Sequence, residues 1–330
     1  MKDQINKYTS VFILTDENIA PFWLPEVCAW LHCPMAIEIV IKPGEQQKNL
    51  KTIQRIWNKL LKHNADRHSL LVNLGGGVIS DMGGFAASCF KRGIDFVNIP
   101  TTLLAMVDAS IGGKTGIDFG GFKNQIGVFA EAKEVLVNPS FLSTLPRREI
   151  LSGLAEMLKY GFIADTDLLQ VDLENYQSYI GRAAEIKKTI VVEDPFERGR
   201  RKILNFGHTI GHAIESHYLT SENPLLHGEA VAIGMWCALW LSVLKTGLDE
   251  RVLQDYESKL RMLLSETQVV VNEREIPEIM KKLVHDKKTL KGKPQFVLLE
   301  AVGKPIVNVE VKPDLICKAL LQFRKMFPDG

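Results

Sequence analysis

Neither sign of charge prevails in this 330-residue sequence: 40 lysines and arginines face 39 aspartates and glutamates, a formal charge of +1. That balance removes the electrostatic basis for a nucleic-acid binder or a polybasic membrane binder. Cysteine is scarce. Cys28, Cys33, Cys89, Cys237 and Cys317 form no CxxC pair and are odd in number. This excludes a zinc knot or disulfide frame and predicts reduced core thiols in a cytoplasmic protein. Long hydrophobic runs are missing too. The longest, AVAIGMWCALWLSVL over 230–244, is too short to favour a membrane span and reads as a buried core helix. The polar start, MKDQINKYTS, leads into no apolar segment with a cleavage site, so no secretory signal is expected. There is no internal repeat, low-complexity tract or Gly/Ser linker. What remains is ordinary globular composition, 46% hydrophobic and 24% charged. A chain of this length buries roughly 75% of its unfolded surface, so no metal or disulfide is needed merely to fold it.

The first half alternates two periodicities. VFILT (11–15), IEIVI (37–41), LLVNL (70–74) and FVNI (96–99) read as short strands bounded by turn formers. Between them, 49–64 places Ile53, Ile56, Trp57 and Leu60 at helical spacing. Alternation of this kind predicts a mostly parallel α/β sheet. After Pro146 helical patterns dominate, over 148–162, 179–191, 207–217, 229–244 and 251–265, with one hairpin from 296–299 and 306–311. The expected domains are therefore 1–147, α/β, and 148–330, mostly α-helical, packed with a cleft between them.

Six motifs can carry chemistry. Strand 70–74 runs into Gly75, Gly76 and Gly77, with a helix expected near Asp81. Glycines before a helix N-terminus admit a dinucleotide pyrophosphate to unpaired amides, or they merely make a tight turn. Asp81 is then a ligand contact or a helix cap. Next, IPTTLLAMVDASIGGKTG (99–116) puts Thr101 and Thr102 at a strand's carboxyl end, where α/β sheets bind ligands. It sets Asp108 in an apolar helical stretch and Lys114 among glycines. The GxxxxGK[ST] spacing is lacking, which excludes a P-loop nucleotidase. Lys123 and Asn124 follow in a Gly-rich loop. Glu156 and Lys159, at i and i+3, share a helix face, as a site pair or a surface ion pair.

The fourth motif is the strongest. LNFGHTIGHAIE (204–215) and LLHGEAVAIG (225–234) crowd His208, His212 and His227 into 20 residues. Neutral imidazoles with one carboxylate make a three-ligand divalent site with an open position. HTIGH lacks the glutamate of HExxH, so this is not a zinc protease. The charged run 187–202 is a solvated face, or it points Lys187, Glu197 and Arg201 toward His208. Last, Asp286, Lys287 and Lys288 precede the hairpin.

In this order GGGVISD (75–81), RGIDFVNIPTTLLAMVDASIGGKTG (92–116), KNQIGVF (123–129), TLPRRE (144–149), AEMLKYG (155–161), LNFGHTIGHAIE (204–215) and HGEAVAIGM (227–235) resemble the 3-dehydroquinate synthase family, over about 16–299. The resemblance implies a Rossmann-like NAD-binding N-terminal domain and a helical metal-binding C-terminal domain. It implies Zn²⁺ or Co²⁺ on Glu156, His208 and His227. NAD lies over Gly76, Gly77 and Asp81, with Asp16, Asn18, Glu45 and Lys48 toward the adenosine end and Thr101, Thr102, Asp108, Lys123 and Thr144 completing the site. Substrate is held by Lys114, Asn124, Lys159, Lys187, Arg201, Asn205, His212 and Lys288 (or Lys287), with Arg92 reaching across a homodimer. Catalysis falls to Asp108, Lys114, Glu197, Asn205 and His212. The implied reaction converts 3-deoxy-D-arabino-heptulosonate 7-phosphate to 3-dehydroquinate and phosphate. A related inosose or valiolone cyclase, a polyol dehydrogenase and a decayed binding protein are the rivals. Four positions depart from the family's habit: Asp118, Asn138, Pro195 after Asp194, and Arg200.

Overall fold

A computed structural model describes residues 2–219, 221–267, 271–284, 289–290 and 293–326. The chain divides into two compact units, the first ending at Leu145 and the second beginning at Pro146.

The first unit is built on a five-stranded sheet, order β2-β1-β3-β4-β7, parallel throughout. Its elements are β1 (Val11–Asp16), α1 (Ala20–Trp30), β2 (Ile37–Ile41), α2 (Leu50–Lys62), β3 (Leu70–Gly75), α3 (Gly77–Cys89), β4 (Asp95–Pro100), β5 (Lys114–Phe119), β6 (Phe122–Phe129) and β7 (Glu134–Val135). All four expected strands form. Every residue of β3 is buried, as a central parallel strand requires. Asn49 caps α2 by accepting from the Thr52 amide (3.1 Å). Its Ile53, Ile56 and Leu60 then join Phe12, Leu14, Ile39 and Ile41 in one core.

Two expectations need correction here. Helix α3 begins at Gly77, so Asp81 lies inside it and is not its cap. The turn is this tight because a Cβ on Gly75 would stand 2.5 Å from Ile79 Cγ1. Lys123 and Asn124 lie on β6, one arm of an antiparallel β5–β6 hairpin, not in a loop. Each arm is interrupted by a glycine, Gly116 or Gly127, and Gly120 and Gly121 sit in the turn between them, so the segment shows little strand periodicity and reads as loop.

The second unit contains α4 (Arg147–Ile163), α5 (Tyr176–Glu193), α6 (His208–Tyr218), α7 (His227–Thr246), α8 (Glu250–Leu263), α9 (Ile276–Val284) and α10 (Pro313–Met326). A three-stranded antiparallel sheet of β8 (Thr289–Leu290), β9 (Lys293–Ala301) and β10 (Lys304–Glu310) completes it. The expected hairpin is β9–β10; α9, α10 and β8 were not foreseen. Helix α7 packs against α4, α6, α8, α10 and β9. It is the one described helix long and apolar enough to cross a membrane, and 78% of its apolar window is buried in the protein. It is thus the core helix that its composition predicted. All five cysteines are free, yet only Cys33 and Cys237 are buried, and Cys89 is exposed. The expectation of five core thiols is corrected accordingly.

Candidate active site

Helix α4 is buried along most of its length, and its carboxylate goes in with it: Glu156 is 0% exposed and Lys159, one turn on, 1%. Their side chains form an ion pair inside the core, so the pair is not a surface bridge. Two backbone-level contacts bring histidines to this carboxylate. Gly207 (φ +77°) lies against α7, and a Cβ on Gly234 would stand 1.9 Å from Gly207 O. Only glycine lets α6 and α7 approach so closely. Gly228 meets α4 in the same way, its amide donating to Ser152 Oγ (3.0 Å). Beside it, Arg148 on α4 grips Glu229 on α7 with two bonds of 2.7 Å. Glu229 also accepts from the Leu226 amide (2.7 Å), closing the start of α7. The first residue of that helix is His227.

The ring nitrogens converge on one oxygen. His208 Nε2 is 3.4 Å and His227 Nε2 3.5 Å from Glu156 Oε1. Neither contact has hydrogen-bond geometry, and this buried oxygen has no hydrogen-bond partner among the described residues. Each imidazole uses its other nitrogen elsewhere. His208 Nδ1 donates to Phe206 O (3.0 Å), since a carbonyl can only accept. His227 Nδ1 is 3.3 Å from Glu215 Oε2. The donor atoms of Glu156, His208 and His227 lie within 4.8 Å of one another. Two ring nitrogens and an unbonded carboxylate oxygen facing each other make a chemically sensible nest for a divalent cation, which would displace the proton on His227, and the residues present fit one.

The electrostatics agree. Burial disfavours the Glu156 charge, but Lys159 and His208 hold its carboxyl well below the usual range. Burial likewise opposes charging His227, yet Glu215 and Glu156 push it up to about 9. Without a cation, a proton on this ring takes the cation's place. His212, one turn along α6, is half-buried, its ring 5.2 Å from His208 and 5.9 Å from His227.

The charged run is not simply a solvated face. Lys187 and Arg201 are buried, and Arg201 donates to Pro195 O (2.5 Å). Asp194 accepts from the Arg198, Gly199 and Arg201 amides, shaping the loop despite the unusual Pro195. Asn205 Nδ2 donates to Glu197 Oε1 (2.9 Å). Arg200 turns outward to Glu193. Lys287 and Lys288 lie outside the described residues.

In the first unit, Lys48 is a buried hub. Its ammonium donates to Asp81 Oδ2 and Asn124 Oδ1, both at 2.5 Å, with Glu45 at 3.8 Å. Lys123 pairs with Glu45 (2.7 Å). Burial alone would lower the Lys48 pKa, but Asp81 and Glu45 raise it above its usual value. Asn124 was expected with the substrate group, yet it joins Lys48, Glu45 and Asp81, which were expected on the cofactor side. Its strained backbone (φ +51°) donates to Asp118 Oδ1 (2.7 Å). Asp16 ends β1 and accepts from the Asn18 and Ile19 amides; burial raises its pKa. Thr101 Oγ1 is buried with no hydrogen-bond partner among the described residues. Thr102 Oγ1 accepts from the Ala105 amide (3.1 Å), and Thr144 from Trp23 Nε1 (2.9 Å). Asp108 lies in a single π-turn, Ala105–Ala109, and Lys114 opens β5. Arg92 follows Lys91 on left-handed backbone. The start of α3 has no side-chain cap. A Cβ on Gly76 would press on Thr102, and one on Gly77 on Ala109, at 3.0 Å each. Bare amides behind a glycine cradle fit a dinucleotide pyrophosphate.

Sequence reasoning gave no site role to Glu215, Arg148 or Glu229, and noted Asp118 only as a departure from the family's habit. For Glu215 a signal existed: His208, His212 and Glu215 are spaced i, i+4, i+7 along one helix face.

Comparison with known proteins places this geometry. Residues 38–152 match the profile "3-dehydroquinate synthase N-terminal" and residues 153–289 match "3-dehydroquinate synthase C-terminal". The 3-dehydroquinate synthase of Parabacteroides distasonis is 40% identical over 333 aligned positions, covering 97% of this chain and 93% of that protein. The synthase of Clostridium tetani is 37% identical, with 96% and 86% covered. Among solved structures, 2-epi-5-epi-valiolone synthase from Streptomyces hygroscopicus subsp. jinggangensis, with NAD⁺ and Zn²⁺ bound, superposes with a TM-score of 0.84 at 27% identity, covering 96% and 91%. The chain belongs to the 3-dehydroquinate synthase family.

Proposed function

We propose that this chain is a 3-dehydroquinate synthase of the shikimate pathway, a lyase that releases phosphate from 3-deoxy-D-arabino-heptulosonate 7-phosphate and closes the carbocycle. It uses NAD and one divalent cation, Zn²⁺ or Co²⁺, and works as a cytoplasmic homodimer in which Arg92 serves the partner's site. The observation that carries this reading is the unbonded, buried Glu156 Oε1 facing two imidazole nitrogens, in a chain of this family.

Held by Glu156, His208 and His227, the cation supplies Lewis-acid polarisation of substrate oxygens. NAD supplies a hydride acceptor that is restored within the turnover, so no net oxidation results. The chain's own groups bind and orient. Lys159 sets a buried ammonium beside the cluster, and Lys187 and Arg201 add two more buried cations. These suit a substrate with one phosphate and one carboxylate, because ion pairs are stronger where water is excluded. Asn205 and Glu197 hold each other in place and, with Lys114 and Lys288, orient the sugar acid. His212 holds or moves a proton at a ring nitrogen. Gly76 and Gly77 admit the pyrophosphate to the amides of α3. Asp16, Asn18, Glu45, Lys48, Asp81 and Lys123 bind the remainder of NAD, with Thr101, Thr102, Asp108 and Thr144 beside them; Asn124 serves the substrate while fixed by Lys48.

Incubation with the heptulosonate phosphate, NAD and Co²⁺ is expected to release phosphate without lasting NADH absorbance. Sustained NADH would transfer the chain to the polyol dehydrogenases. Equal turnover of a sugar phosphate lacking the carboxylate would transfer it to the inosose or valiolone cyclases.

A further inference from the structure

Glu215 is buried on α6, and no role in the proposed reaction has yet been given to it. Its Oε2 lies 3.3 Å from His227 Nδ1, while His227 Nε2 faces Glu156 Oε1 at 3.5 Å. The two nitrogens of one ring are thus divided between two carboxylates on different helices. Both carboxylates can only accept, so once a cation takes the place of a proton at Nε2, the remaining ring proton is the one on Nδ1, toward Glu215. His208 has its tautomer set in the same way, by the Phe206 carbonyl (3.0 Å). The difference is that His208 depends on backbone and His227 on a side chain that mutation can remove.

We propose that Glu215 is a positioning residue for the cation site. It fixes the tautomer and ring orientation of His227 and raises the basicity of its Nε2. The proposal rests on the reading of Glu156, His208 and His227 as cation ligands. His212, Glu215 and His227 also bring donor atoms within 4.8 Å of one another, so direct ligation of a second ion by Glu215 is the competing outcome.

The full-length chain, stripped of metal, is titrated with Co²⁺ by calorimetry and followed by its visible absorption. Glu215→Ala is expected to bind about 10- to 100-fold more weakly with shifted absorption bands. Glu215→Gln, whose amide oxygen still accepts from Nδ1–H, is expected to keep the band positions and most of the affinity. Circular dichroism of each variant shows whether it is folded. Nitrogen NMR of the wild-type chain loaded with Zn²⁺ tests the same point with no mutation, and should find the proton on Nδ1 and the ion on Nε2 of His227. Wild-type affinity in Glu215→Ala, a Gln variant as weak as Ala, or an ion on Nδ1 would overturn the positioning role. So would two ions per wild-type chain and one in Glu215→Ala. Glu156→Ala keeps the two readings apart: normal Co²⁺ binding in that variant refutes the ligand set itself, whatever Glu215 does.

Discussion

A buried carboxylate oxygen with no hydrogen bond is costly, typically about 1–3 kcal/mol, and Glu156 Oε1 is such an atom. Its surroundings explain why it persists: everything nearby either donates charge to it or shares with it the geometry of a cation site. His227 is the residue whose titration reports this. Its pKa, ordinarily 6.5, is pushed to about 9 in the metal-free chain, against burial, by Glu215 and Glu156. A cation must displace that proton, so apparent Co²⁺ affinity should rise about tenfold per pH unit until about pH 9. Titrations in two neutral-to-alkaline buffers measure this, and a flat affinity would show that His227 carries no such proton. The stability of the metal-free chain should run the opposite way. A raised histidine pKa contributes stability that is complete below pH 6.5 and lost as pH rises through about 9. Metal-free melting temperature should therefore fall across that window, and metal-loaded chain should fall less.

At the scale of elements, the site depends on helices that touch backbone to backbone. Gly207, Gly228 and Gly234 stand where a Cβ would overlap a neighbouring helix or its carbonyl. Gly234→Ala should push α7 away from α6 and cost about 3 kcal/mol. It should also weaken Co²⁺ binding, because His208 and His227 ride on the two helices. Gly181, in the second turn of α5, has nothing within 4 Å of its would-be Cβ. Gly181→Ala should instead stabilise by roughly 0.5–1 kcal/mol and leave metal binding unchanged. Thermal melts and Co²⁺ titrations of both variants separate interface glycines from incidental ones, and equal behaviour would refute the packing argument.

At the scale of the whole molecule, the residues assigned to the cation all belong to the second unit, and the glycine cradle and Lys48 hub belong to the first. Hydrogen exchange should accordingly show Co²⁺ slowing amides of α4, α6 and α7, and NAD slowing those of the β3–α3 turn and the segment around Lys48. Co²⁺ protection confined to the first unit would move the metal site. By itself the sequence determined the strand–helix alternation up to β4, the apolar helix α7, and the histidine crowding in 204–234. These are local properties: periodicity, composition and spacing need no neighbour to be read. Residue types and spacing alone left His208, His212 and His227 open as ligands, and the family resemblance pointed to His208 and His227. Nor did the sequence reveal the β5–β6 hairpin, whose strands are each interrupted by a glycine and have weak periodicity, or Asp81 as the partner of Lys48 rather than a cap. Tertiary structure supplied the hairpin and the Lys48–Asp81 pair, and it brings donor atoms of Glu156, His208 and His227 within 4.8 Å of one another. A ligand set is a distance condition among α4, α6 and α7, and only packing, through glycine contacts and the Arg148–Glu229 clasp, brings residues 52 and 71 positions from Glu156 to one oxygen.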